Sequence, residues 1–203
     1  MKIVAFNDLH GRPIALKKLA VLVKKNKPDA VLYLGDFTLF ERHIETVLAG
    51  INAFGSPVYL IHGNHEDETI VRKLCKNYPN ITFIHKRIVT IGDVQLVAFG
   101  GGGFYGHGKL KRDTEFDAWI LKNNHKLGKR TLLLTHGPPA HTVLDHIDYM
   151  DEHVGCPSFT AYIKKYKPLL ALSGHIHESF GREQHIGPTK VCNVGPSGKV
   201  FNI

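Results

Sequence analysis

Short apolar runs rich in valine, isoleucine and leucine recur along the chain, and most of them are typical of buried β-strands. Amphipathic segments with a helical period lie between several of these runs. Strands and helices alternate at first, whereas residues 81–99 and the C-terminal end are richer in strands. This order predicts an α/β fold, a two-sheet β-sandwich flanked by helices. The predicted strands are Lys2–Phe6, Ala30–Leu34, Val58–Ile61, Ile81–Ile84, Val94–Phe99, Thr131–Leu134, Leu169–Leu172, Val191–Val194 and Val200–Ile203. The predicted helices are Pro13–Lys25, Glu41–Ala53, Asp67–Asn77 and Ser158–Lys165.

Length and composition narrow the class of protein. A chain of 203 residues suffices for one hydrophobic core, so we expect a single domain over residues 1–203. No stretch reaches the roughly 20 apolar residues that span a bilayer, and the apolar part of the opening MKIVAFND is too short for a secretory signal. Cys75, Cys156 and Cys192 show no CxxC spacing, which argues against a disulfide framework or a thiolate zinc site. We therefore expect a cytoplasmic protein without a membrane partner.

The net charge of +8 and the pI of about 9.4 favour phosphorylated or polyanionic partners. Much of the lysine lies in helix-like runs such as Lys24–Lys27, where it solvates outer faces. Nucleic acid is an alternative partner that is not favoured, because no stripe of aromatic and basic residues accompanies the charge.

Polar clusters follow five of the predicted strands directly. In an open α/β sheet the carboxyl ends of neighbouring strands share one crevice, so we expect these clusters to converge there. Histidine nitrogen, carboxylate and amide oxygen together suit Mn, Fe, Zn or Co. Two such cations roughly 3.5–4 Å apart activate a water and clamp the oxygens of a phosphoester. The clusters are Asn7–His10, Gly35–Asp36, His62–His65, Thr135–Gly137 and Ser173–His177.

The spacing within two clusters suggests how paired donors face one ion. An extended strand end points residues i and i+2 to the same side, so Asp8 and His10 would face a cation while Leu9 faces the core. His175 and His177 would repeat this arrangement around a buried Ile176. Glycines beside the donors give the backbone room to turn.

The series D-x-H, GD, GNH, H-G and GHxH, which extends from Asp8 to His177, resembles the calcineurin-like metallophosphoesterase superfamily. The resemblance implies its αββα fold. Leu134–Pro139, His153–Cys156 and Gly174–Glu178 are similar to a branch of small phosphodiesterases. The tail Asn193–Ser197 departs from the family's Asn-Pro-Gly-Ser ending by a displaced proline, which we expect to affect a structural turn rather than the metals.

The resemblance also implies a role for each donor. Asp8, His10 and His177 would hold the first metal; Asn64, His136 and His175 would hold the second; and Asp36 would bridge the two, because its two oxygens can each face a cation. His65 would be the catalytic histidine, which hydrogen-bonds the substrate phosphate or protonates the leaving oxygen. Two divalent transition-metal ions are the implied cofactors, with manganese (Mn) expected and Fe, Ni, Zn or Co as alternatives.

These roles predict a metal-dependent phosphoric ester hydrolase that uses a metal-bridging hydroxide. Its substrates would be small phosphorylated compounds, either phosphodiesters, including cyclic nucleotides, or phosphomonoesters. A nuclease is the alternative within hydrolases. A non-catalytic scaffold of the same fold is disfavoured, because all seven ligand positions and His65 carry chemically competent residues.

Two further stretches admit more than one interpretation. Gly103–Lys109 fits the first seven positions of a phosphate-binding P-loop, but Leu110 stands where that motif needs Ser or Thr. A loop at the rim of the crevice, with His107 or Lys109 reaching the substrate, and a plain connection both remain open. The Asp- and His-rich residues 140–153 fit a solvated loop better than an additional metal site. Glu66 and Glu178 are expected to support or cap their neighbours rather than bind metal, and His62 to lie in the core.

Overall fold

The computed structural model describes residues 1–103 and 111–203, except for the side chain of Arg112. Apart from Gly103, the stretch Gly103–Lys109 lies outside the described residues, so its alternative interpretations stay open. The strands are β1 (Lys2–Phe6), β2 (Ala30–Leu34), β3 (Val58–Ile61), β4 (Ile81–Phe83), β5 (Arg87–Ile91), β6 (Val94–Phe99), β7 (Thr131–Thr135), β8 (His146–Ile147), β9 (Glu152–His153), β10 (Leu170–Ser173), β11 (Glu183–Ile186), β12 (Thr189–Asn193) and β13 (Lys199–Asn202). The helices are α1 (Pro13–Asn26), α2 (Ile44–Asn52), α3 (Glu68–Leu74), α4 (Lys111–Asn123) and α5 (Pro157–Tyr166).

Two large sheets carry the fold. The first has the order β13-β1-β2-β3-β4, in which β1 to β4 are parallel and β13 is antiparallel to β1. The second has the order β11-β12-β10-β7-β6-β5, with a parallel centre from β12 to β6 and antiparallel strands at both edges. Strands β8 and β9 form a separate hairpin. The expected two-sheet α/β sandwich is confirmed.

Alternating side chains of each sheet build the layers. Leu32 and Leu134 lie in the apolar layer between the two sheets, whereas Tyr33 packs beneath helices α1 to α3. On the outer face of the second sheet, Phe99 and Leu133 pack against helices α4 and α5. Central strands β2 and β7 are buried at every position, which fits the apolar sequence of β2 and the three leucines at the centre of β7. Among the described residues, no helix has both the length and the apolar character to cross a bilayer.

Several element boundaries differ from the prediction. Helix α2 begins at Ile44 rather than Glu41, because Glu41 and His43 have positive φ values of 61° and 54°, which no right-handed helix accommodates. Helix α3 ends at Leu74, and a 3₁₀ turn follows over Cys75–Asn77. Helix α4, the edge strands β5 and β11 and the hairpin β8–β9 were not predicted.

We expect Leu32→Ala to lower the free energy of unfolding by about 2–5 kcal/mol, since it leaves a cavity between the sheets that the buried strands cannot fill. Val21→Ala removes a largely exposed side chain of helix α1 and is the control, with an expected change within about 0.5 kcal/mol. Urea denaturation measures both variants. Equal losses would contradict the position of Leu32 in the central layer.

Candidate metal centre

All seven predicted donors and His65 lie in loops that follow the carboxyl ends of five strands. Strands β1, β2 and β3 of the first sheet deliver Asp8, His10, Asp36, Asn64 and His65. Strands β7 and β10 of the second sheet deliver the other three histidines, His136, His175 and His177. The site therefore lies where the same edges of both sheets meet.

The donors are presented by left-handed turns rather than by extended strand ends. Asp8, His10, Asp36 and His175 have positive φ values of 52°, 49°, 53° and 70°. The expected i, i+2 pleat is therefore wrong for Asp8 and His10, because β1 ends at Phe6 and the following backbone is no longer a strand. The buried spacers are as expected, since Leu9 and Ile176 are both buried. Left-handed backbone is strained for residues with a Cβ, and such strain is concentrated at functional sites.

The first group of donors consists of Asp8, His10 and His177. The Nε2 atoms of His10 and His177 lie 3.1 Å apart, and they are 3.8 and 3.7 Å from Asp8 Oδ1. The other Asp8 oxygen accepts the backbone N–H of His175 at 3.0 Å. Asp8 Oδ1 is buried beside these two imidazoles and has no hydrogen-bond donor among the described residues.

The second group consists of Asp36, Asn64, His136 and His175. His136 Nδ1 donates to the carbonyl oxygen of Leu34 at 2.7 Å, which leaves Nε2 facing the site. That Nε2 lies 3.1 Å from Asn64 Oδ1 and 3.3 Å from Asp36 Oδ2. A ring nitrogen of His175 lies within 4.8 Å of donor atoms of both Asp36 and His136.

Asp36 Oδ2 connects the two groups. It lies 3.3 Å from His136 Nε2 in the second group and 4.0 Å from His10 Nε2 in the first. Asp36 Oδ1 accepts the backbone N–H of His65 at 3.0 Å, and the expectation that each oxygen of Asp36 faces a different cation stays a prediction. A single carboxylate oxygen therefore stands between the two groups.

These distances fit metal coordination. Two atoms bound to one ion at about 2.1 Å can be no more than about 4.2 Å apart. The six donor-to-donor distances quoted above range from 3.1 to 4.0 Å, and all of them fall within this limit. The structure also groups His65 with His10 and Asp36, since His65 Nε2 lies 3.8 Å from Asp36 Oδ2. Geometry alone therefore permits His65 as a further ligand.

Two glycines make this close packing of loops possible. A Cβ on Gly35 would lie 2.6 Å from the backbone nitrogen of Gly63 and 2.8 Å from His136 Nδ1. A Cβ on Gly63 would lie 2.6 Å from the backbone nitrogen of Asp36. The glycines thus leave room for neighbouring ligand loops, and Gly35 in addition adopts a φ of +92°.

Burial and opposite charges shift the pKa values of the cluster. Burial alone would raise the pKa of Asp36, but the imidazole of His136 and hydrogen bonds outweigh it and hold that pKa well below its usual value. Burial opposes protonation of His136, yet Asp36 raises its pKa to about 9. Burial, followed by the charge of His136, lowers the pKa of His175 to about 3. The cluster therefore keeps a carboxylate beside imidazoles and attracts positive charge.

Glu66 supports Asp36 from behind, as expected of a residue that is not a ligand. Its buried carboxylate accepts backbone N–H groups of Asp36, Thr38 and Gly63 at 3.1, 2.8 and 2.9 Å, and the Thr38 hydroxyl at 2.9 Å. It does not cap helix α3, because Asp67 performs that role. Burial and the charge of Asp36 raise the pKa of Glu66 to about 7.

The C-terminal tail supports the histidines of β10. The Asn193 side chain donates to the carbonyl oxygen of Ile176 at 2.9 Å, and the Gly195 carbonyl oxygen accepts the backbone N–H of Asn7 at 3.3 Å. Although its proline is displaced, this tail contacts the loops on both sides of the first donor group. The sequence did not predict these contacts between the tail and the loops that carry the donors.

Residues 140–153 are more ordered than a solvated loop. Asp145 is fully buried and accepts the backbone N–H groups of His141, Thr142 and Gly155 as well as His153 Nδ1. His146 directs its two ring nitrogens to different carboxylates, at 3.1 and 3.2 Å. The candidate metal groups found among the described residues all lie at the strand ends described above, and the preference against an additional metal site in this stretch stays a prediction.

A cleft of about 330 Å³ opens over the donors. Ile147 and Tyr149 of the hairpin β8–β9 belong to its lining. The sequence indicated only that this segment is rich in Asp and His, and it did not predict that the segment forms a wall of the cleft. The lining residues are His10, Asp36, Asn64, His65, Ile147, Tyr149, His175, Ile176, His177 and Glu178.

Comparison with known proteins agrees with this arrangement. Residues 1–179 match the calcineurin-like phosphoesterase family. The chain belongs to this family. Membership implies divalent metal ions and supports phosphoester hydrolysis, and it confirms the resemblance carried by the five motifs.

Individual relatives extend this assignment. An uncharacterised protein of Methanocaldococcus jannaschii is 30% identical over 97% of this chain and 88% of its own length. A probable glycerophosphodiester phosphodiesterase of Arcobacter nitrofigilis is 27% identical over 75% of this chain, which spans 58% of that relative. The crystal structure of TT1561 from Thermus thermophilus has a TM-score of 0.74 at 16% identity, with 99% of this chain and 98% of that chain covered, and shows the same fold.

We expect Glu66→Gln to lower the free energy of unfolding by about 1–3 kcal/mol, because an amide NH₂ group would face backbone donors that now meet carboxylate oxygens. Since these donors position Asp36, metal affinity should also fall by about 10–100-fold. Glu45→Gln, at an exposed position in α2, is the control. Urea denaturation and metal titration measure the effects, and unchanged values in Glu66→Gln would contradict its supporting role.

Proposed function

We propose that the chain is a two-metal phosphodiesterase. The observation that carries the proposal is the position of Asp36 Oδ2 between one donor group with His10 and another with His136. Asp8, His10 and His177 would hold the first ion, and Asn64, His136 and His175 the second, with Asp36 shared. When bound, two such ions supply Lewis acidity and an activated water for in-line attack on phosphorus.

The chain's own residues hold this arrangement in place. His136 keeps Nε2 available because its Nδ1–H is fixed by the Leu34 carbonyl group. Asp36 keeps a single free oxygen because Oδ1 is taken by His65 N–H. Mixed nitrogen and oxygen donors without thiolate suit several divalent transition-metal ions, of which we propose Mn, with Fe, Ni, Zn and Co as alternatives.

His65 is the candidate proton donor. Its side chain is partly exposed at the cleft, and its Nε2 lies 3.8 Å from Asp36 Oδ2, close to where a substrate phosphate would meet the ions. An imidazole there can donate a hydrogen bond to a phosphate oxygen or a proton to the leaving oxygen.

The shape of the cleft favours small substrates. A volume of about 330 Å³ accommodates a phosphoester with a compact substituent. The phosphodiesterase relative supports diesters ahead of monoesters as substrates. The nuclease alternative has only the net charge of +8 in its favour.

Metal stoichiometry tests the two-ion arrangement. Metal-stripped protein should hydrolyse bis(p-nitrophenyl) phosphate only after a divalent ion is added, and the loaded protein should contain about two ions per chain. His177→Ala and Asn64→Ala should each lower the content towards about one ion, because each removes a ligand from a different group. Elemental analysis measures the content. A single ion in wild-type protein, or unchanged content in both variants, would contradict the arrangement.

His65→Ala should reduce kcat by about 10²–10⁴-fold, because it removes a proton donor, while the metal content stays near two ions. His125→Ala, at an exposed position with no predicted role, is the matched control and should retain wild-type kcat. Steady-state kinetics and elemental analysis separate the outcomes. Loss of metal in parallel with turnover would instead make His65 a ligand.

A further inference from the structure

Two exposed aromatic side chains lie near the donor cluster, Tyr149 in the lining of the cleft and Phe40 beside His65. Among the described phenylalanine, tyrosine and tryptophan residues, Phe40 and Tyr149 are the most exposed, with 70% and 78% of their surface accessible. An exposed aromatic ring does not contribute the free energy that its burial would provide. Exposed rings near a candidate site therefore indicate a surface that can bind a ligand. Leu39 and Met150, the chain neighbours of the two rings, are each 40% exposed.

The hairpin β8–β9 fixes Tyr149 beside the first donor group. Ile147 of the hairpin packs with Val154 and Ile176 in a small apolar cluster, and Ile176 separates the donors His175 and His177. The Glu178 carboxylate accepts the backbone N–H of Asp148 at 2.8 Å. The hairpin is thus attached to the same segment that carries the histidines, and Tyr149 lines the cleft.

Two carboxylates brace the turn of this hairpin. His146 Nδ1 lies 3.1 Å from Asp148 Oδ1, and its Nε2 lies 3.2 Å from Asp151 Oδ1. Tyr149 and Met150 lie between these two carboxylates in sequence. The imidazole therefore closes a short loop around the residues that carry the exposed ring.

Phe40 lies beside the candidate proton donor His65, which itself lines the cleft. Its ring centroid lies 4.3 Å from that of His65, at an interplanar angle of 62°. The ring of His10 lies 4.9 Å from that of His65 and 5.1 Å from that of His177. Phe40 has a φ of +49°, a strained value for a bulky residue, so local backbone preference does not explain its position.

The loop of Phe40 is anchored on both sides of the ring. The Glu41 N–H donates to Thr38 Oγ1 at 3.1 Å, and the Glu41 carboxylate accepts the Asp67 N–H at 2.7 Å. Thr38 is in turn held by the buried Glu66. The exposed ring is therefore presented by a fixed backbone rather than by a free loop.

We infer that Phe40 and Tyr149 form a recognition site for a planar aromatic ring carried by the phosphoester substrate. This inference rests on the proposed function, because the phosphoryl group of the same ligand would occupy the donor cluster. The aromatic rings and apolar rim offer contact area to a flat ring, whereas an alkyl substituent would leave much of that surface in water.

The test compares the binding of two phosphonates that cannot be hydrolysed as esters. Isothermal titration calorimetry on Mn-loaded protein measures Kd for phenylphosphonate and methylphosphonate. Wild-type protein should prefer the phenyl compound by about 10-fold, and Tyr149→Ala and Phe40→Ala should each reduce this preference by about 3–5-fold. A nucleoside 5′-methylenephosphonate distinguishes a nucleobase from a compact aryl ring as the preferred group, and sensitivity of either compound to the two variants supports the inference.

Matched variants keep the result interpretable. Tyr149→Phe and Phe40→Tyr retain a ring and should retain the preference, while Leu121→Ala, at a site of 73% exposure on α4, should leave it unchanged. Equal binding of all three phosphonates, or a preference unaffected by both alanine variants, would overturn the inference. Metal-dependent hydrolysis of an aryl diester is assayed in parallel. Turnover without a ring preference would overturn this inference alone, and absence of turnover with every metal would overturn the proposed function.

Discussion

A single buried carboxylate organises the centre of this protein. Asp36 brings one oxygen between imidazoles that come from both sheets, while its other oxygen holds the backbone of His65. This contact is available only if β2 ends in a left-handed turn and if Gly35 and Gly63 leave space for each other's loops. The parallel order β1-β2-β3 and the packing of the second sheet against the first bring five loops close to this one carboxylate.

The same arrangement is electrostatically costly without cations. Asp36 and Glu66 are both buried, and the charge of Asp36 contributes to raising the pKa of Glu66 to about 7. Three backbone N–H groups and a hydroxyl offset part of this cost for Glu66, and His136 offsets part for Asp36. A divalent ion adds positive charge where the donor atoms converge. The strain and repulsion of the ligand loops thus prepare a site for cations rather than stabilise the fold by themselves.

The sequence predicts the layers of the fold and the candidate donor residues better than it predicts the backbone geometry that presents those donors. Continuous apolar runs identify β2 and β7 because both faces of these strands are buried. Helix α4 was missed because its charged sequence buries few apolar positions, such as Phe116 and Ile120. Residue type and spacing identified Asp8 and His10, but positive φ values leave no trace in a pattern of polar and apolar residues. The single domain and the cytoplasmic location remain predictions.

The elements that were missed differ in kind from those that were predicted. Strands of the central layers are specified by many apolar contacts, so their positions follow from periodicity. The hairpin β8–β9 depends instead on a small apolar cluster around Ile147, on Glu178 and on the buried Asp145. Some of these contacts are local and others join residues distant in sequence, and all of them lie outside the two large sheets. In this fold the central sheets position the candidate donors, whereas a small number of contacts hold the hairpin that forms a wall of the cleft. Substitutions in the hairpin can therefore change which substrate fits while the donor set is kept.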